Sequence, residues 1–507
     1  MYIKKLIIFM EYCAEVEHNV KQLYSWTATG VSESASAVWL VNFSNSVAAW
    51  TVFPSLLHTS TSQEVRFYSA NALYSKVRSD WPSLSQDQRE GLVGHLWGTL
   101  DCASPVDTVV QGRLSLALAA ATVQTQGALP IFFQRISSMI SLAVGRCTPE
   151  NGSGEGRMVL FVCLSALCAV AELSEELQLP PRMRDSLKND LITVAPGVHD
   201  MLAALVGVGP LIGVESYRGG STGSSSPRSD SGNVCDVFKS LLRCASAWVS
   251  IEGSGVEFFL AATRNPALLL AACDALGTLP HSLGLGVFCA GLISASLERG
   301  ENVGLEEKRA LLCALGMRFL SLAPVLVGLL SAGEENVSAW SEALSSLLRQ
   351  SDWAAGEGAM VQSQDFSSLP LHLFPHALSA CDRGSTGEAL LSCEGAPLGI
   401  SCLLGDLVIQ CAAASHPSDS ALWAFEFINY TPTSGRHPFW RAPAHAALVK
   451  IIASQCIDLR CGGGGLPGSK RPDLESWLAY RNVYCCDTLS DCARLLGPTF
   501  FLHSSVS

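Results

Sequence analysis

The stretch that decides the fold runs over residues 64–81, EVRFYSANALYSKVRSDW, and is followed at 85–100 by SQDQREGLVGHLWGTL. In the first stretch apolar residues recur at three- and four-residue steps, which is the spacing of one side of an α-helix. The second stretch repeats the pattern, and Pro82 stops the first helix. Two amphipathic helices back to back, with no strand pattern near them, predict a helical hairpin.

Each helix of this hairpin has a predicted packing face. The second helix should start at a capping box made by Ser85 and, three residues later, Gln88. The packing faces consist of Phe67, Ala70, Leu73, Tyr74, Val77 and Trp81 on the first helix and Leu92, Leu96, Trp97 and Leu100 on the second. Four charged or polar residues of the first helix are expected to stay in solvent, namely Arg66, Lys76, Arg78 and Asp80.

Helical patterns continue on both sides of this hairpin. Candidates lie at Val16–Trp26, Ala35–Phe43, Val47–Leu57 and Pro105 to about Val123. In the last of these the predicted inward residues are Val109, Val110, Leu114, Leu118 and Ala121. Helix pairs recur about every 40 residues, which is the period of HEAT and armadillo arrays. The sequence therefore predicts an all-α fold, an α-solenoid of HEAT-like helical hairpins that forms an ARM/HEAT superhelix.

Composition and charge narrow the classes of partner. The chain has 507 residues, of which 48% are hydrophobic and 15% charged, so a large buried core is expected. The formal net charge of −12 disfavours direct binding of nucleic acid, which requires a Lys/Arg surface to displace phosphate counterions. A basic protein surface would suit this chain better.

No residue pattern indicates catalysis or metal binding. The GGSTG run at 219–223 has no strand before it, and in GGGGLPGSK the serine precedes the lysine, so neither motif fits its chemistry. The 19 cysteines include no Cys-x-x-Cys pair, which argues against zinc and for free thiols in a reducing compartment. We expect no enzyme activity, no cofactor and no metal. The cysteines expected to be buried are Cys163, Cys168, Cys244, Cys273, Cys289 and Cys313.

The chain is expected to lie outside membranes. The opening MYIKKLIIFMEY is too short for a signal peptide or a span, and residues 1–13 are interpreted as an N-terminal extension with translation starting at Met1 or Met10. The apolar run Met158–Ala171 also falls short of a span, and Leu268–Leu297 is interrupted by polar residues. Flexible loops are predicted at 217–233 and 461–473 because of their Gly and Ser content.

An ordered series of segments carries a resemblance to a known family. The N-terminal part of the series is VKQLY at 20–24, WLVNF at 39–43, EVRFYSANALYSKVRSDWPSL from 64 and SPVDTVVQGRLSLALAAA from 104. It continues in order with the segments at 181–202, 238–250, 407–430 and 480–497. This series resembles the importin-β superfamily, in particular the N-terminal portion of its transportin-SR and importin-thirteen branch.

The resemblance implies an importin-like nuclear transport receptor that shuttles between nucleus and cytoplasm. Its implied partners are protein cargo, nucleoporin FG repeats and the GTP-bound Ran GTPase, and a monomer is expected. By this resemblance residues 14–146 form a Ran-binding arch and 147–507 continue the repeats, while the C-terminal arch of the family is absent. The alternative is a HEAT-repeat scaffold of a cytoplasmic complex that never meets Ran.

The resemblance also suggests where Ran would bind. In the family Ran is held by inner helices of the first repeats, which correspond here to 47–57, 86–100 and about 128–145. The polar candidates on or beside them are Gln88, Arg89, Glu90 and His95, followed by Lys76 and Arg78. The alternative for each of these residues is an ordinary solvated helix face.

Overall fold

The structure is a computed structural model that describes residues 2–26, 35–102, 108–146, 154–208, 231–278 and 285–326, with a few further positions between 340 and 407. Within these residues the regular elements are all helical, with no strand, so the predicted all-α fold is confirmed. The helices are α1 Tyr2–Trp26, α2 Ala35–Ser44, α3 Ala49–Thr59, α4 Gln63–Asp80, α5 Gln86–Cys102, α6 Thr108–Val123, α7 Ala128–Arg146, α8 Gly154–Glu176, α9 Pro181–Gly207, α10 Ser231–Ser250, α11 Ser254–Arg264, α12 Ala267–Thr278, α13 Leu285–Arg299 and α14 Leu305–Ser321.

The chain divides into two compact units. The first comprises Met1–Gly213 with Gly223–Glu257, and the second comprises Val214–Thr222 with Phe258–Ser507. In the first unit the helix pairs α4–α5, α6–α7 and α8–α9 begin at Gln63, Thr108 and Gly154. Their spacing of about 45 residues lies within the range of HEAT and armadillo repeats.

Stacked helical pairs give the first unit two layers. In the first layer α4 packs against α1 and α6, and α8 packs against α6 and α10. In the second layer α3 packs against α5, and α7 packs against α9. The rings of Trp97 on α5 and Phe132 on α7 are in contact, with their centroids 5.6 Å apart. Neighbouring repeats therefore bury each other's apolar faces, as in an α-solenoid.

The α4–α5 hairpin forms as the sequence predicts. The backbone N–H of Ser85 donates to Gln88 Oε1 over 2.9 Å, and the N–H of Gln88 donates to Ser85 Oγ over 3.4 Å, which is a capping box. A short 3₁₀ turn at Trp81–Ser83 separates the two helices, with Pro82 inside it. Most of the predicted packing residues are buried, including Ala70, Leu73, Val77, Trp81, Leu92, Leu96, Trp97 and Leu100.

Three details of the predicted helices are wrong. Lys76 of α4 was expected in solvent, but its side chain is only 4% exposed because it packs against the Trp50 ring of α3. Val109 was expected inside, but it is 56% exposed on the first turn of α6. The predicted loop at 217–233 ends earlier, since α10 begins at Ser231. Its remainder and the loop at 461–473 lie outside the described residues.

Helix α8 extends beyond the apolar run Met158–Ala171 at both ends. By length and composition its segment Gly156–Glu176 could cross a membrane, as could α7, α9 and the pair α11 and α12, which is bent by 83°. The argument that the run Met158–Ala171 is too short for a span therefore fails. In this structure 61% of the apolar α8 window is buried, because α8 packs between α6 and α10.

The second unit is also built from packed helices. Helix α12 packs against α13 and α14. The indole Nε1–H of Trp340 donates to the Leu276 carbonyl over 3.2 Å, and its ring contacts Phe319 edge-on. The guanidinium of Arg318 pairs with the carboxylate of Asp274. The six cysteines that were expected to be buried across both units are buried free thiols, namely Cys163, Cys168, Cys244, Cys273, Cys289 and Cys313.

Candidate functional site

The helices predicted to hold a protein partner form one row in the second layer. These are α3, α5 and α7, which match the predicted segments 47–57, 86–100 and 128–145 closely. We call their solvent-facing side the second-layer surface. It is defined by Thr51 and His58 on α3, by Glu90, Gly91, Gly94 and Gly98 on α5, and by Ile131, Arg135 and Leu142 on α7, all of which are exposed.

The second-layer surface is apolar in places. Ile131 is 70% exposed and Leu142 is 64% exposed, although both lie on a helix of a packed array. Next to them the guanidinium of Arg135 lies over the Trp97 ring, 4.6 Å from its centroid. Exposed aliphatic side chains beside an arginine on an aromatic ring are typical of surfaces that contact proteins.

Two of the sequence-predicted contact residues are exposed at the start of α5. Gln88 is exposed and takes part in the capping box with Ser85. Glu90 is also exposed, and its carboxylate accepts a 2.7 Å hydrogen bond from the side-chain amide of Gln86. A carboxylate at the first turns of a helix is favourably placed relative to the helix dipole. Glu90 is therefore the candidate whose charge a partner can reach with least disturbance of the fold.

Arg89 has a structural role that the sequence did not indicate. Its Nε donates to the Trp81 carbonyl over 3.2 Å, and a terminal nitrogen donates to the Pro82 carbonyl over 2.9 Å. The same guanidinium lies over the Trp81 ring, 6.0 Å from its centroid. Arg89 thus closes the turn between α4 and α5, because a planar guanidinium can satisfy two carbonyls at once.

We expect Arg89→Lys to lower the free energy of unfolding by about 1 kcal/mol, because an ammonium group cannot donate to both turn carbonyls in the same geometry. Urea unfolding of the full chain, followed by circular dichroism, measures this change. Arg78→Lys is the matched control. Its pair with Glu176 is a surface contact, so the expected change is near zero. Equal stability of the two variants would contradict the structural role of Arg89.

The two candidates on α4 belong to the first layer. The Lys76 ammonium lies 3.0 Å from Asp80 and 5.1 Å from the centroid of the Trp50 ring, so it is enclosed between α3 and α4. The Arg78 side chain is 40% exposed and pairs with Glu176 of α8 over 3.3 Å. The structure therefore separates both residues from the exposed start of α5.

His95 takes part in a polar contact between α3 and α5. Its Nε2 lies 3.0 Å from the Pro54 carbonyl, and its ring meets the ring of His58 edge-on with centroids 4.6 Å apart. The hydroxyl of Thr99 lies 3.0 Å from His58 Nε2 and donates to the His95 carbonyl over 2.9 Å. We call His58, His95 and Thr99 the histidine cluster. The sequence did not indicate a role for His58 and Thr99, because their proximity depends on the register of α3 against α5.

The contacts of the histidine cluster also affect the pKa of His58. The pKa of His58 is lowered by partial desolvation of its ring against α5 and, secondarily, by the charge of His95. Elsewhere burial and the carboxylate of Glu172 raise the pKa of the Cys168 thiol to about 12, so this thiol is unreactive near neutrality. No group of three or more His, Cys, Asp or Glu side chains in the described residues could hold a metal ion.

Comparison with curated proteins shows a short similarity. Over 81 residues, or 16% of this chain, the sequence is 33% identical to "Importin-13 homolog A" of Dictyostelium discoideum. The matched segment is 8% of that protein's length. No protein-family model matches the chain. The similarity supports a likeness to the importin-β superfamily, and the branch within it stays a prediction.

Proposed function

We propose that this chain acts as an importin-like nuclear transport receptor, or as part of one, which carries protein cargo through nuclear pores under control of GTP-bound Ran. The observation that carries this proposal is the similarity of 81 residues to "Importin-13 homolog A". The two-layered helical array of the first unit supports it physically. A stack of helical pairs offers a continuous row of helices to a partner and can couple two binding events through bending.

The second-layer surface is the proposed binding face for Ran. It lies on α3, α5 and α7, and it combines the exposed carboxylate of Glu90 with the exposed side chains of Ile131 and Leu142. The chain's net negative charge favours a partner with a basic patch. Nucleoporin FG repeats and cargo are further proposed partners, and shuttling between nucleus and cytoplasm follows from the same proposal.

Binding of the full chain to Ran loaded with GTP or with GDP tests this function, because a transport receptor has a physical reason to discriminate the two states. We expect selective binding of the GTP form. Glu90→Arg should weaken it about three- to tenfold, since it reverses an exposed charge on the proposed face. Glu175→Arg makes the same change at an exposed position of α8 in the first layer, so it should leave the affinity unchanged.

Either of two results would contradict the proposal. A folded chain that binds neither nucleotide state would favour the alternative of a HEAT-type scaffold without Ran dependence. If Glu90→Arg and Glu175→Arg weakened the affinity for Ran equally, binding would depend on the net charge of the chain and not on the second-layer surface.

A further inference from the structure

The proposed function does not explain the contacts that the histidine cluster makes between α3 and α5. It lies between α3 and α5, the first two helices in the row of the second layer. The rings of His58 and His95 meet edge-on at 4.6 Å between centroids, and each ring has a hydrogen-bond partner on the opposite helix. Two titratable rings in direct contact across a helix interface make that interface sensitive to their charge.

The hydrogen bonds indicate which nitrogen of each ring carries the donated proton. A carbonyl oxygen can only accept, so His95 Nε2 carries the proton that is donated to Pro54. The Thr99 hydroxyl already donates its hydrogen to the His95 carbonyl, so it accepts from His58 Nε2. Both imidazoles are therefore protonated on Nε2, and both can be neutral with all three contacts satisfied.

We propose that His58 and His95 form a pH-responsive contact that holds α3 against α5 while at least one ring is neutral and loosens this interface when both are protonated. A single imidazolium is tolerated, because its edge can meet the face of a neutral aromatic ring. A second positive charge at the same distance is repelled by the first and loses part of its hydration. Protonation of the second ring therefore weakens the contact.

Charged groups on the surrounding helices have partners of their own. The nearby charge that lowers the pKa of His58 is that of His95. On the helices packed around α3 and α5, the charged groups with described contacts include Lys21 with Glu17 on α1, Glu64 with Ser62 and Lys76 with Asp80 on α4, Arg78 of α4 with Glu176, Arg89 on the turn carbonyls, Arg113 of α6 over Phe67 and Arg135 of α7 over Trp97. The response is thus assigned to the two histidines themselves.

The sign of the effect follows from the lowered pKa of His58. The unfolded chain, with a histidine pKa of about 6.5, binds more protons in acid than the folded chain does. The stability that the cluster provides is therefore complete above about pH 6.5 and is lost as the pH falls below it. This inference does not depend on the proposed transport function, because it concerns the contact between α3 and α5 alone.

Hydrogen exchange of the full chain at pH 7.5 and 5.5, corrected for intrinsic exchange rates, tests the proposal. Protection of α3 and α5 should fall about three- to tenfold relative to α8, which contains no histidine. In the variant His58→Gln/His95→Gln the amide groups still donate to the same oxygens without titrating, so the fall should disappear. An equal fall in this variant, or no fall in the wild type, would overturn the proposal.

A second measurement covers the case in which the double variant does not fold. The titration of His58 in the wild-type full chain can be followed by NMR of its imidazole Cε1–H, assigned with His58→Gln. The proposal requires His58 to titrate below about pH 6.5. A midpoint at or above this pH would overturn it.

Discussion

Replacing Trp248 by alanine is expected to lower the free energy of unfolding by about 3–5 kcal/mol, the largest effect of any single change considered for this chain. Trp248 is fully buried on α10, and its indole Nε1–H donates to the Leu167 carbonyl of α8 over 3.0 Å. Alanine would remove the ring from the centre of the α8–α10 contact and leave a cavity. Urea unfolding of the full chain, followed by circular dichroism, measures the loss.

Two further variants separate the contributions of Trp248. Trp248→Phe keeps most of the ring volume but loses the donor to Leu167, so we expect a cost of about 1 kcal/mol for the hydrogen bond plus a small packing term. Trp39→Ala removes the half-buried ring on α2 that stacks on Phe43, and it should cost less than Trp248→Ala. If Trp248→Ala were no more destabilising than Trp39→Ala, the α8–α10 contact would not support the first unit as described.

Replacing Gly300 by alanine is expected to destabilise the second unit by about 1–3 kcal/mol. A Cβ atom at this position would lie closer than 3.0 Å to three ring carbons of Phe259, whose side chain is fully buried. The Gly300 carbonyl also accepts a 2.9 Å hydrogen bond from the Lys308 ammonium, so the turn after α13 is held in place. The clash can therefore be relieved only by shifting packed elements.

Gly291→Ala is the matched control for this prediction. Gly291 lies inside α13, and a Cβ atom there would meet no atom within 4 Å. Alanine has a higher helix propensity than glycine, so the expected change is a stabilisation of up to about 1 kcal/mol. Thermal unfolding of both variants should therefore shift in opposite directions. Shifts of the same sign and size would contradict the packing assigned to Gly300.

Helical pattern and punctuation predict the hairpin of α4 and α5 because both depend on residues close in sequence. Pro82 cannot continue a helix, and Ser85 with Gln88 satisfies the first N–H groups of the next one. The apolar positions follow a 3.6-residue period, so their burial follows once any partner surface exists. The same reasoning predicted the buried free thiols, since cysteines in apolar helical stretches pack as small hydrophobic residues.

The burial of Lys76 is a property that local sequence patterns did not predict. Its position, three residues after Leu73 and four after Ala72, places it on the packing face of α4, yet its charge suggested solvent. Burial is tolerated because Asp80 pairs with the ammonium from within α4 and the Trp50 ring of α3 covers it. The first partner was readable from the four-residue spacing. The second depends on how α3 lies across α4, which no local pattern contains.

The features of the candidate site also fall into those that local sequence patterns predict and those that depend on packing between helices. The sequence by itself determined the all-α fold and the boundaries of the α4–α5 hairpin, because periodicity and capping act within one helix or turn. That α3, α5 and α7 lie in one row was expected only from the family resemblance. Only the tertiary structure decided that Arg89 closes a turn, that Glu90 is left exposed, and that His58 meets His95. These roles depend on the register and distance between helices, which are set by side-chain packing across the layers and not by the sequence spacing of the residues involved.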